Sequence, residues 1–301
     1  MQSLTEIRHL LDSRGLAPKK SLGQNFLIDH NLIRKLVDAS GVGPGSLVLE
    51  IGPGTGTLTE ELLTRGCTLI ACELDSGLAS LNRDRLGSHP DYSTRFTLIE
   101  GDCLESKREL SRPVRDALAG RPFTLVANLP YGAATPLMLT LLVQHPECAG
   151  LFVTIQREVA DRLLATPGSK EYGQISIVAQ SAALVRNIST LPRECFWPRP
   201  DVTSAMISLT RLAAPLTSDL PGLSVFTQRI FSHRRKQLGA ILGREIPWPE
   251  GVGPTLRAEQ LTVAQAIALF EATSGPSAAH ASPRRGMLKD TTVPGVPHVT
   301  E

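Results

Sequence analysis

The chain has 301 residues, of which 42% are hydrophobic and 20% are charged, and its formal net charge is +2. This composition is typical of a globular protein, and the length suits one large domain with a smaller companion. No apolar run reaches the roughly 18 residues of a membrane-spanning helix, and the first residues lack the regions of a secretory signal. We therefore expect a cytoplasmic protein without a membrane partner. A charge near zero does not exclude a nucleic-acid partner, because a binding groove needs local charge only.

The cysteines and histidines are scattered rather than clustered. None of the five cysteines belongs to a Cys-x-x-Cys pair, which indicates reduced thiols in a cytosolic protein. The seven histidines are equally dispersed, so the sequence predicts no metal site. The cysteines are Cys67, Cys72, Cys103, Cys148 and Cys195.

Apolar runs alternate with amphipathic segments between residues 46 and 156. The apolar runs predict strands, and the amphipathic segments predict helices with one apolar face. Such an alternation is typical of a parallel sheet covered by helices on both faces, so the predicted fold class is α/β with a doubly wound, Rossmann-like sheet. The predicted strands are 46–52, 68–74, 95–101, 123–128 and 151–156, and the predicted helices are 57–65, 76–86, 136–144 and 157–165.

The pattern changes after the fifth predicted strand and its helix. A helix over 173–183 and a late strand over 202–212 come next, and a linker-like stretch then precedes a helical region. The sequence thus predicts a first domain of residues 1–215 and a small all-α domain of residues 216–274. The tail, residues 275–301, is rich in Ser, Pro, Gly and Ala and has no apolar periodicity, which predicts disorder.

A glycine-rich loop joins the first predicted strand to its helix. It reads Glu50-Ile-Gly-Pro-Gly-Thr-Gly56, and its glycines permit positive φ and let a ligand approach the backbone closely. The spacing differs from the dinucleotide fingerprint, because Thr57 stands where G-x-G-x-x-G has its third glycine. Pro53 also removes an amide that could hold a pyrophosphate. Gly52 and Gly54 are therefore predicted to contact an uncharged or zwitterionic nucleoside ligand.

Two acidic residues follow the second and third predicted strands. Glu73 lies about 20 residues beyond the loop, where an acid can accept both ribose hydroxyls, and Asp102 could accept a hydrogen bond from an adenine amine. Each acid alone is more often a strand-end or capping residue. The carboxyl ends of parallel strands meet in one crevice, so the acids and the loop together predict a nucleoside-cofactor site. The form E-x-G-x-G-x-G resembles the first motif of S-adenosylmethionine-dependent methyltransferases.

The fourth predicted strand delivers Asn128-Leu-Pro-Tyr131 to the same edge. Taken alone, this run is typical of a turn that ends a strand, with an aromatic residue at the edge of the sheet. An exocyclic base amine, however, is a poor nucleophile, because its lone pair is delocalised into the ring. The Asn128 oxygen and a carbonyl of Leu129 or Pro130 could accept both amine hydrogens and aim the nitrogen at a methyl group. The order Asn-x-Pro-Tyr is typical of amino-methyltransferases acting on nucleobases or on glutamine, with Tyr131 as a flat face for an unstacked base.

An ordered set of motifs between residues 16 and 273 closely resembles the family of small-subunit ribosomal RNA adenine dimethyltransferases. The motifs are Lys19-Lys-Ser-Leu-Gly-Gln-Asn-Phe-Leu27, the glycine loop, Glu73-Leu-Asp75, Gly101-Asp102, Asn128-Leu-Pro-Tyr131, Gln156-Arg-Glu-Val-Ala160, Tyr172-Gly173, Phe196-x-Pro-x-Pro-x-Val202 and Arg234-Arg-Lys-Gln-Leu238. The resemblance implies methyl transfer from S-adenosylmethionine to two adjacent adenosines in a hairpin loop near the 3′ end of the RNA, giving dimethyladenosines during small-subunit biogenesis. It also implies a catalytic domain in residues 1–215, with an RNA and cofactor segment at 14–30, and an RNA-binding domain in residues 216–274.

The resemblance further implies roles for single residues. Tyr131 and Phe196 would enclose the target base, which completes a catalytic set of Asn128, Leu129, Pro130, Tyr131 and Phe196. The implied cofactor contacts are Asn25, Leu27, Gly52, Glu73, Asp102 and Asn128, to which the loop adds Gly54. Asn25 and Leu27 rest on the resemblance alone, because their segment otherwise predicts only a loop that caps a helix. The basic residues expected to bind RNA phosphates are Lys19, Lys20, Arg234, Arg235 and Lys236.

Three residues depart from the family pattern. Leu22 stands where the family commonly has an aromatic residue, and Asp201 stands where it often has a basic residue. Gly239 stands where the family has a polar or basic residue. Each is expected to weaken RNA docking rather than chemistry.

Two other readings remain open from the sequence. One is the related large-subunit RNA methyltransferase family linked to macrolide resistance. The other is a non-catalytic assembly or transcription factor that binds nucleic acid. The expected partner is the RNA of the small ribosomal subunit or the assembling subunit itself, and the expected state is a monomer.

Overall fold

The computed structural model describes residues 1–106 and 109–274, so the tail that the sequence predicts to be disordered lies outside the described residues. The described helices are α1 (Leu4–Asp12), α2 (His30–Ser40), α3 (Thr57–Thr64), α4 (Ser76–Asn82), α5 (Arg112–Leu118), α6 (Ala134–Gln144), α7 (Arg157–Leu164), α8 (Gln174–Ala182), α9 (Leu220–Phe231), α10 (Leu238–Leu242) and α11 (Val263–Ser274). The described strands are β1 (Phe26–Leu27), β2 (Leu47–Ile51), β3 (Thr68–Glu73), β4 (Phe96–Glu100), β5 (Leu104–Ser106), β6 (Glu109–Leu110), β7 (Phe123–Asn128), β8 (Cys148–Gln156), β9 (Ala183–Leu191), β10 (Phe196–Trp197) and β11 (Ser204–Arg211).

A seven-stranded sheet with the order β4-β3-β2-β7-β8-β11-β9 forms the centre of the described fold. The strands β4, β3, β2, β7 and β8 are parallel, and β11 runs antiparallel to both of its neighbours. Helices cover both faces, as the sequence predicts. Because β3, β2 and β7 are adjacent, their carboxyl ends place Glu73, the glycine loop and the asparagine motif side by side.

The sheet differs from the predicted one at its last two strands. The sequence predicts a parallel sheet and no strand over Ala183–Leu191, yet β9 forms the edge there. The sequence of β9 lacks an apolar run because most of its side chains, Arg186 and Asn187 among them, are exposed or half-buried at this edge. The reversal of β11 follows from its connection, since residues 192–203 contain only a short turn and β10, too little for a helical crossover.

Alternate residues of the central strands pack in two layers. Leu49 and Leu125 face α5, α6 and α8 in one cluster, and Val48 and Val126 face α2 and α3 in the other. This alternation of buried positions explains why the strands are apolar throughout. The helix predicted over 76–86 ends earlier, because α4 stops at Asn82 and a π-helical turn follows.

The helices α9 and α11 pack against α8, and α9 also contacts α6. Leu223 and Ile230 of α9 belong to the same apolar cluster as Leu125 of the sheet. The predicted boundary at residue 215 falls in the loop between β11 and α9, and the division into two domains stays a prediction. Across the described part of the chain, no helix is both long and apolar enough to span a bilayer.

Candidate active site

A pocket of about 270 Å³ lies at the carboxyl edge of the sheet, where β2, β3 and β7 end. It brings together residues that are more than one hundred positions apart in the sequence. The predicted site residues that line it are Asn25, Gly52, Gly54, Glu73, Asp102, Asn128, Leu129, Pro130 and Tyr131.

Two predicted residues, Leu27 and Phe196, do not line the pocket. They are partners in the antiparallel ribbon of β1 and β10, and only 6% and 3% of their surfaces are exposed. Both side chains belong to the apolar cluster that contains Val126 and Met206. The contacts of Leu27 with a cofactor and of Phe196 with a base therefore stay predictions.

The glycine loop needs glycine for two separate reasons. Gly52 and Gly54 have φ of 70° and 60°, in the left-handed region that side chains disfavour. A Cβ added to Gly54 would also lie 2.8 Å from the ring of Phe26, which covers the loop. The glycines are thus required by the conformation of the loop and by its packing against Phe26, and their contact with a ligand stays a prediction.

The helix α4 and the turn after it hold the loop from behind. Asn82 is fully buried, and its Nδ2 donates to the Gly54 carbonyl at 2.7 Å. Arg85 Nη2 donates to the carbonyls of Thr55 and Gly56, both at 3.1 Å. Three successive carbonyls of the loop are therefore fixed by side chains that do not line the pocket.

Glu73 is 5% exposed and accepts two backbone hydrogen bonds. Its Oε1 accepts from the Asp75 N–H at 2.9 Å, and its Oε2 accepts from the Gly54 N–H at 3.0 Å. Burial raises the pKa of this carboxyl above its ordinary value, although both hydrogen bonds oppose the shift. Burial also raises the pKa of Glu50, which is 1% exposed at the end of β2, to about 8. Of these two acids with raised pKa values, Glu73 lines the pocket and Glu50 does not.

Asp102 follows β4 at the rim of the pocket. Its side chain is exposed, and Oδ1 accepts the Leu104 N–H at 2.9 Å. This bond orients the carboxylate without burying it, so Asp102 remains accessible to a ligand.

Asn128 is the last residue of β7, and its side-chain amide has a fixed orientation. Nδ2 donates to the Asn25 carbonyl at 2.9 Å, which leaves Oδ1 as the atom available to accept a hydrogen bond from a ligand. The carbonyl of Pro130 already accepts the Ala133 N–H at 3.1 Å. The Leu129 carbonyl is therefore the better of the two predicted backbone partners for Asn128.

Tyr131 lies half-buried at the rim of the pocket. Its hydroxyl is 3.1 Å from Oγ of Ser204, the first residue of β11 and fully buried. Burial raises the pKa of Tyr131 above its ordinary value, so the ring is neutral at physiological pH. The hydrogen bond fixes the position of the ring, as a stacking surface requires.

Residues 19–27, which we call the strap, cross the mouth of the pocket. Residues 21–26 of the strap line the pocket. Lys19 Nζ lies 2.8 Å from Asp75 Oδ2, and Gln24 Nε2 lies 3.1 Å from the same oxygen. Lys19 is thus paired with a carboxylate, and its contact with an RNA phosphate stays a prediction. Lys20 has an exposed side chain.

The three basic residues after α9 have different surroundings. Arg234 donates from Nε to Glu259 at 2.5 Å and from its two terminal nitrogens to the carbonyls of Lys170 and Ser169, at 2.6 and 2.9 Å. Arg235 and Lys236 have exposed side chains. Arg234 therefore connects the turn after α9 to the loop between α7 and α8. These contacts stabilise the fold and do not require RNA.

The structure gives surroundings for the three departures from the family pattern. Leu22 lines the pocket as part of the strap. Asp201 is exposed, and its carbonyl accepts from Arg193 at 3.2 Å. A Cβ added to Gly239 would lie 2.7 Å from Cβ of Pro254, so a glycine there permits close packing.

Sequence reasoning missed the residues that support the site without touching a ligand. Asn82 and Arg85 show no motif, because their partners are backbone carbonyls. Gln24 and Asp75 appear in the motifs, but only as part of a family pattern. For Asp75 the sequence does contain a local signal, because an Asp directly before a predicted helix indicates an N-cap.

The sheet with its reversed strand β11, the glycine loop and the pocket at the carboxyl ends define a Rossmann-like methyltransferase. A family model described as "Ribosomal RNA adenine dimethylase" matches residues 15–274. The chain therefore belongs to the ribosomal RNA adenine dimethylase family.

Relatives with high coverage are named for one activity. A protein of Bifidobacterium longum (strain DJO10A), "Ribosomal RNA small subunit methyltransferase A", is 38% identical over 89% of this chain and 92% of its own length. A protein of the same name from Mycobacterium tuberculosis (strain ATCC 25177 / H37Ra) is 42% identical over 75% of this chain and 69% of its own.

Two solved structures share the fold. A dimethyladenosine transferase from Plasmodium falciparum has a TM-score of 0.66 at 22% identity and covers 81% of this chain and 95% of its own. The 23S rRNA methyltransferase ErmE has a TM-score of 0.62 at 26% identity and covers 82% of this chain and 99% of its own. Both likenesses confirm the predicted fold class.

Proposed function

We propose that the protein transfers methyl groups from S-adenosylmethionine to the exocyclic amines of two adjacent adenosines in a hairpin loop near the 3′ end of small-subunit ribosomal RNA. The products are dimethyladenosines, and the step belongs to the biogenesis of the small subunit. The observation that carries the proposal is the Asn128 amide, which is fixed by Asn25 with its oxygen available in the pocket. The names of the relatives support the choice of the small subunit.

The residues that line the pocket fit S-adenosylmethionine in their chemistry. Gly52 and Gly54 line the pocket and present backbone without side chains to a ligand. Glu73 supplies a carboxylate for ribose hydroxyls, and Asp102 supplies one for an adenine amine. Asn25 lines the same pocket, and Leu27 follows it in the strap. Residues of this chain would thus hold the ribose and the adenine of the cofactor.

The residues around Asn128 would bind and orient the acceptor. When bound, S-adenosylmethionine supplies an electrophilic methyl group on a sulfonium. Asn128 Oδ1 and the Leu129 carbonyl accept the two amine hydrogens, which favours a pyramidal nitrogen with an available lone pair. Tyr131 offers its face to the adenine ring, and Phe196 is the proposed second face. The amide is neutral, so it does not bind a cationic cofactor too strongly in the ground state.

Two alternatives are less well supported. A large-subunit enzyme of the macrolide-resistance type agrees with the likeness to ErmE, but at lower identity than that of the small-subunit relatives. A non-catalytic binding protein does not require the fixed amide of Asn128 or the hydrogen-bonded ring of Tyr131.

RNA docking is expected to depend on Arg235 and Lys236 more than on Arg234. Replacing either exposed residue with glutamine should reduce the slope of log affinity against log salt by about one, because one phosphate contact is lost. Arg234→Gln should instead lower the melting temperature, because it leaves the Ser169 carbonyl and Glu259 without their partner. Filter binding at several salt concentrations and thermal melts check both outcomes. An unaltered slope in a double Arg235 and Lys236 variant would disprove their phosphate role.

One experiment tests the proposed function as a whole. The protein is incubated with labelled S-adenosylmethionine and small ribosomal subunits that lack the modification, with large subunits as a parallel substrate. We expect label in small-subunit RNA only, on two adjacent adenosines that each carry two methyl groups. Label in large-subunit RNA would support a large-subunit methyltransferase of the macrolide-resistance type. Absence of label from both RNAs would support a non-catalytic binding protein.

We also propose that the enzyme works in the cytoplasm as a monomer, with the assembling small subunit as its partner. The five cysteines are free in the structure, which agrees with a reducing compartment.

A further inference from the structure

The strap connects two strand ends that lie on either side of the glycine loop. One end is held at Asp75, just beyond β3, and the other meets Asn128 at the end of β7. Because β2 lies between β3 and β7, the strap passes over the loop that follows β2. A contact at one end can therefore affect the geometry at the other.

The two oxygens of Asp75 have separate tasks. Oδ1 caps α4 and accepts the N–H groups of Gly77 and Leu78, at 2.9 and 3.3 Å. Oδ2 accepts from Lys19 Nζ at 2.8 Å and from Gln24 Nε2 at 3.1 Å. A helix cap needs only the first oxygen. The second oxygen, with 4% of the residue exposed, serves the strap alone.

The other end of the strap fixes the Asn128 amide. A side-chain amide can turn over and exchange its oxygen and nitrogen, and the Asn25 carbonyl prevents this by accepting from Nδ2 at 2.9 Å. Gln24 is the residue directly before Asn25, and its Oε1 also accepts the Lys19 N–H at 2.7 Å. The position of the Asn25 carbonyl thus depends on a segment that Asp75 holds.

We propose that Asp75 is a positioning residue, which acts through Gln24 and the Asn25 carbonyl to hold the Asn128 oxygen toward the methyl acceptor. The inference rests on the proposed function for its effect on methyl transfer, but not for its effect on the strap. Burial alone would raise the pKa of Asp75, yet the Lys19 ammonium and the Gln24 amide hold it below its ordinary value. The carboxylate is therefore ionised throughout the physiological range.

The substitution Asp75→Asn separates the two tasks. Asparagine keeps one oxygen to cap α4, and it places an NH₂ group opposite the two donors of the strap. We expect kcat at saturating cofactor and RNA to fall about tenfold, because the acceptor amine is less often aligned. We also expect the Asn128 side-chain amide signals in a ¹⁵N–¹H spectrum to move toward those of a free amide. The signals are assigned from their loss in Asn128→Ser.

The matched control is Asp38→Asn, which removes one carboxylate of an exposed pair with Arg65, 2.8 Å apart, far from the strap. Its kcat and its Asn128 signals should equal those of the wild type. Gln24→Ala is a second test variant, because it removes the hydrogen bond from Gln24 to Asp75 and leaves the α4 cap intact. If Asp75→Asn does not fold, the kcat and the Asn128 signals of Gln24→Ala test the proposal.

The proposal is overturned if the Asn128 signals keep their wild-type positions in both test variants. It is also overturned if the signals move but kcat stays within about twofold of that of the control. The spectrum does not depend on the substrate, so failure of the proposed function would appear separately, as a wild-type protein without methyl transfer.

Discussion

The variant Asn128→Ala is expected to lose methyl transfer while the protein stays folded. Alanine removes Oδ1, which should accept an amine hydrogen, and Nδ2, which donates to the Asn25 carbonyl. We expect kcat to fall about 10²- to 10³-fold, the size of effect seen when a single preorganised hydrogen-bonding group is removed from an active site. Single-turnover assays with labelled cofactor measure the loss directly.

Stability should change little in this variant. The lost hydrogen bond contributes about 1 kcal/mol, and its site is open to solvent through the pocket, so water can satisfy the Asn25 carbonyl. Thermal melts and cofactor binding should therefore remain close to those of the wild type. Asn187→Ala is the matched control, because it makes the same change on the exposed edge strand β9. Near-full activity of Asn128→Ala would disprove the catalytic role.

Asn128→Asp distinguishes the role of the amide nitrogen from that of the oxygen. Aspartate keeps an acceptor for the amine but cannot donate to the Asn25 carbonyl, and its charge would bind a cationic cofactor more tightly in the ground state. We expect a lower KM for S-adenosylmethionine together with a lower kcat. If both KM and kcat stayed at their wild-type values, the neutral charge of Asn128 would not matter for cofactor binding or for methyl transfer.

The parts of the fold that the sequence predicted are those with a local signal. The alternation of apolar runs and helices identified β2, β3, β7 and β8, because both faces of each strand are buried. It also identified the edge strand β4, whose apolar residues Phe96, Leu98 and Ile99 pack against the two clusters. The edge strand β9 has exposed polar side chains and gave no such signal. The reversal of β11 depends on the length of a connection, which the strand's own residues do not reveal.

The candidate site also contains residues that the sequence could locate and contacts that it could not. Gly54, Glu73 and Asn128 stand at strand ends that the sequence could locate, and the structure places all three around one pocket. The contacts that support them are long-range: Gln24 and Asp75 are 51 positions apart, and Asn25 and Asn128 are 103 positions apart. No local pattern encodes such pairs, so only the folded chain reveals them.

For the basic motif after α9 and for Phe196, the resemblance names the residues but does not give their surroundings. Arg234 belongs to the predicted phosphate-binding run, yet it hydrogen-bonds Glu259 and two carbonyls of the chain. Phe196 is predicted to stack on a base, yet it is 3% exposed in a core cluster. A motif identifies which residues occur together, whereas burial and partners depend on the packing around them.

Replacing Glu73 with alanine should raise the KM for S-adenosylmethionine about 10- to 100-fold and change kcat much less. Hydrogen bonds to a charged group contribute about 1.5–3 kcal/mol each, and ribose hydroxyls make the same bonds in the ground state and the transition state. Glutamine is not a mild substitute, because both Glu73 oxygens accept backbone N–H groups, from Asp75 and Gly54. Its NH₂ group would have to face one of these donors and would disturb the glycine loop.

The pH dependence of KM gives a second, independent sign of the same role. Burial raises the pKa of Glu73, so on acidification this carboxylate is protonated earlier than an exposed glutamate. KM for the cofactor should therefore rise as the pH falls through that raised pKa, and the rise should be absent from Glu73→Ala. The matched control is Glu100→Ala, since Glu100 is the partner of Glu73 on the neighbouring strand but is exposed and paired with Arg83. A KM for Glu73→Ala equal to that of the control at every pH would remove the ribose assignment and would leave Glu73 only the task of holding the Gly54 amide.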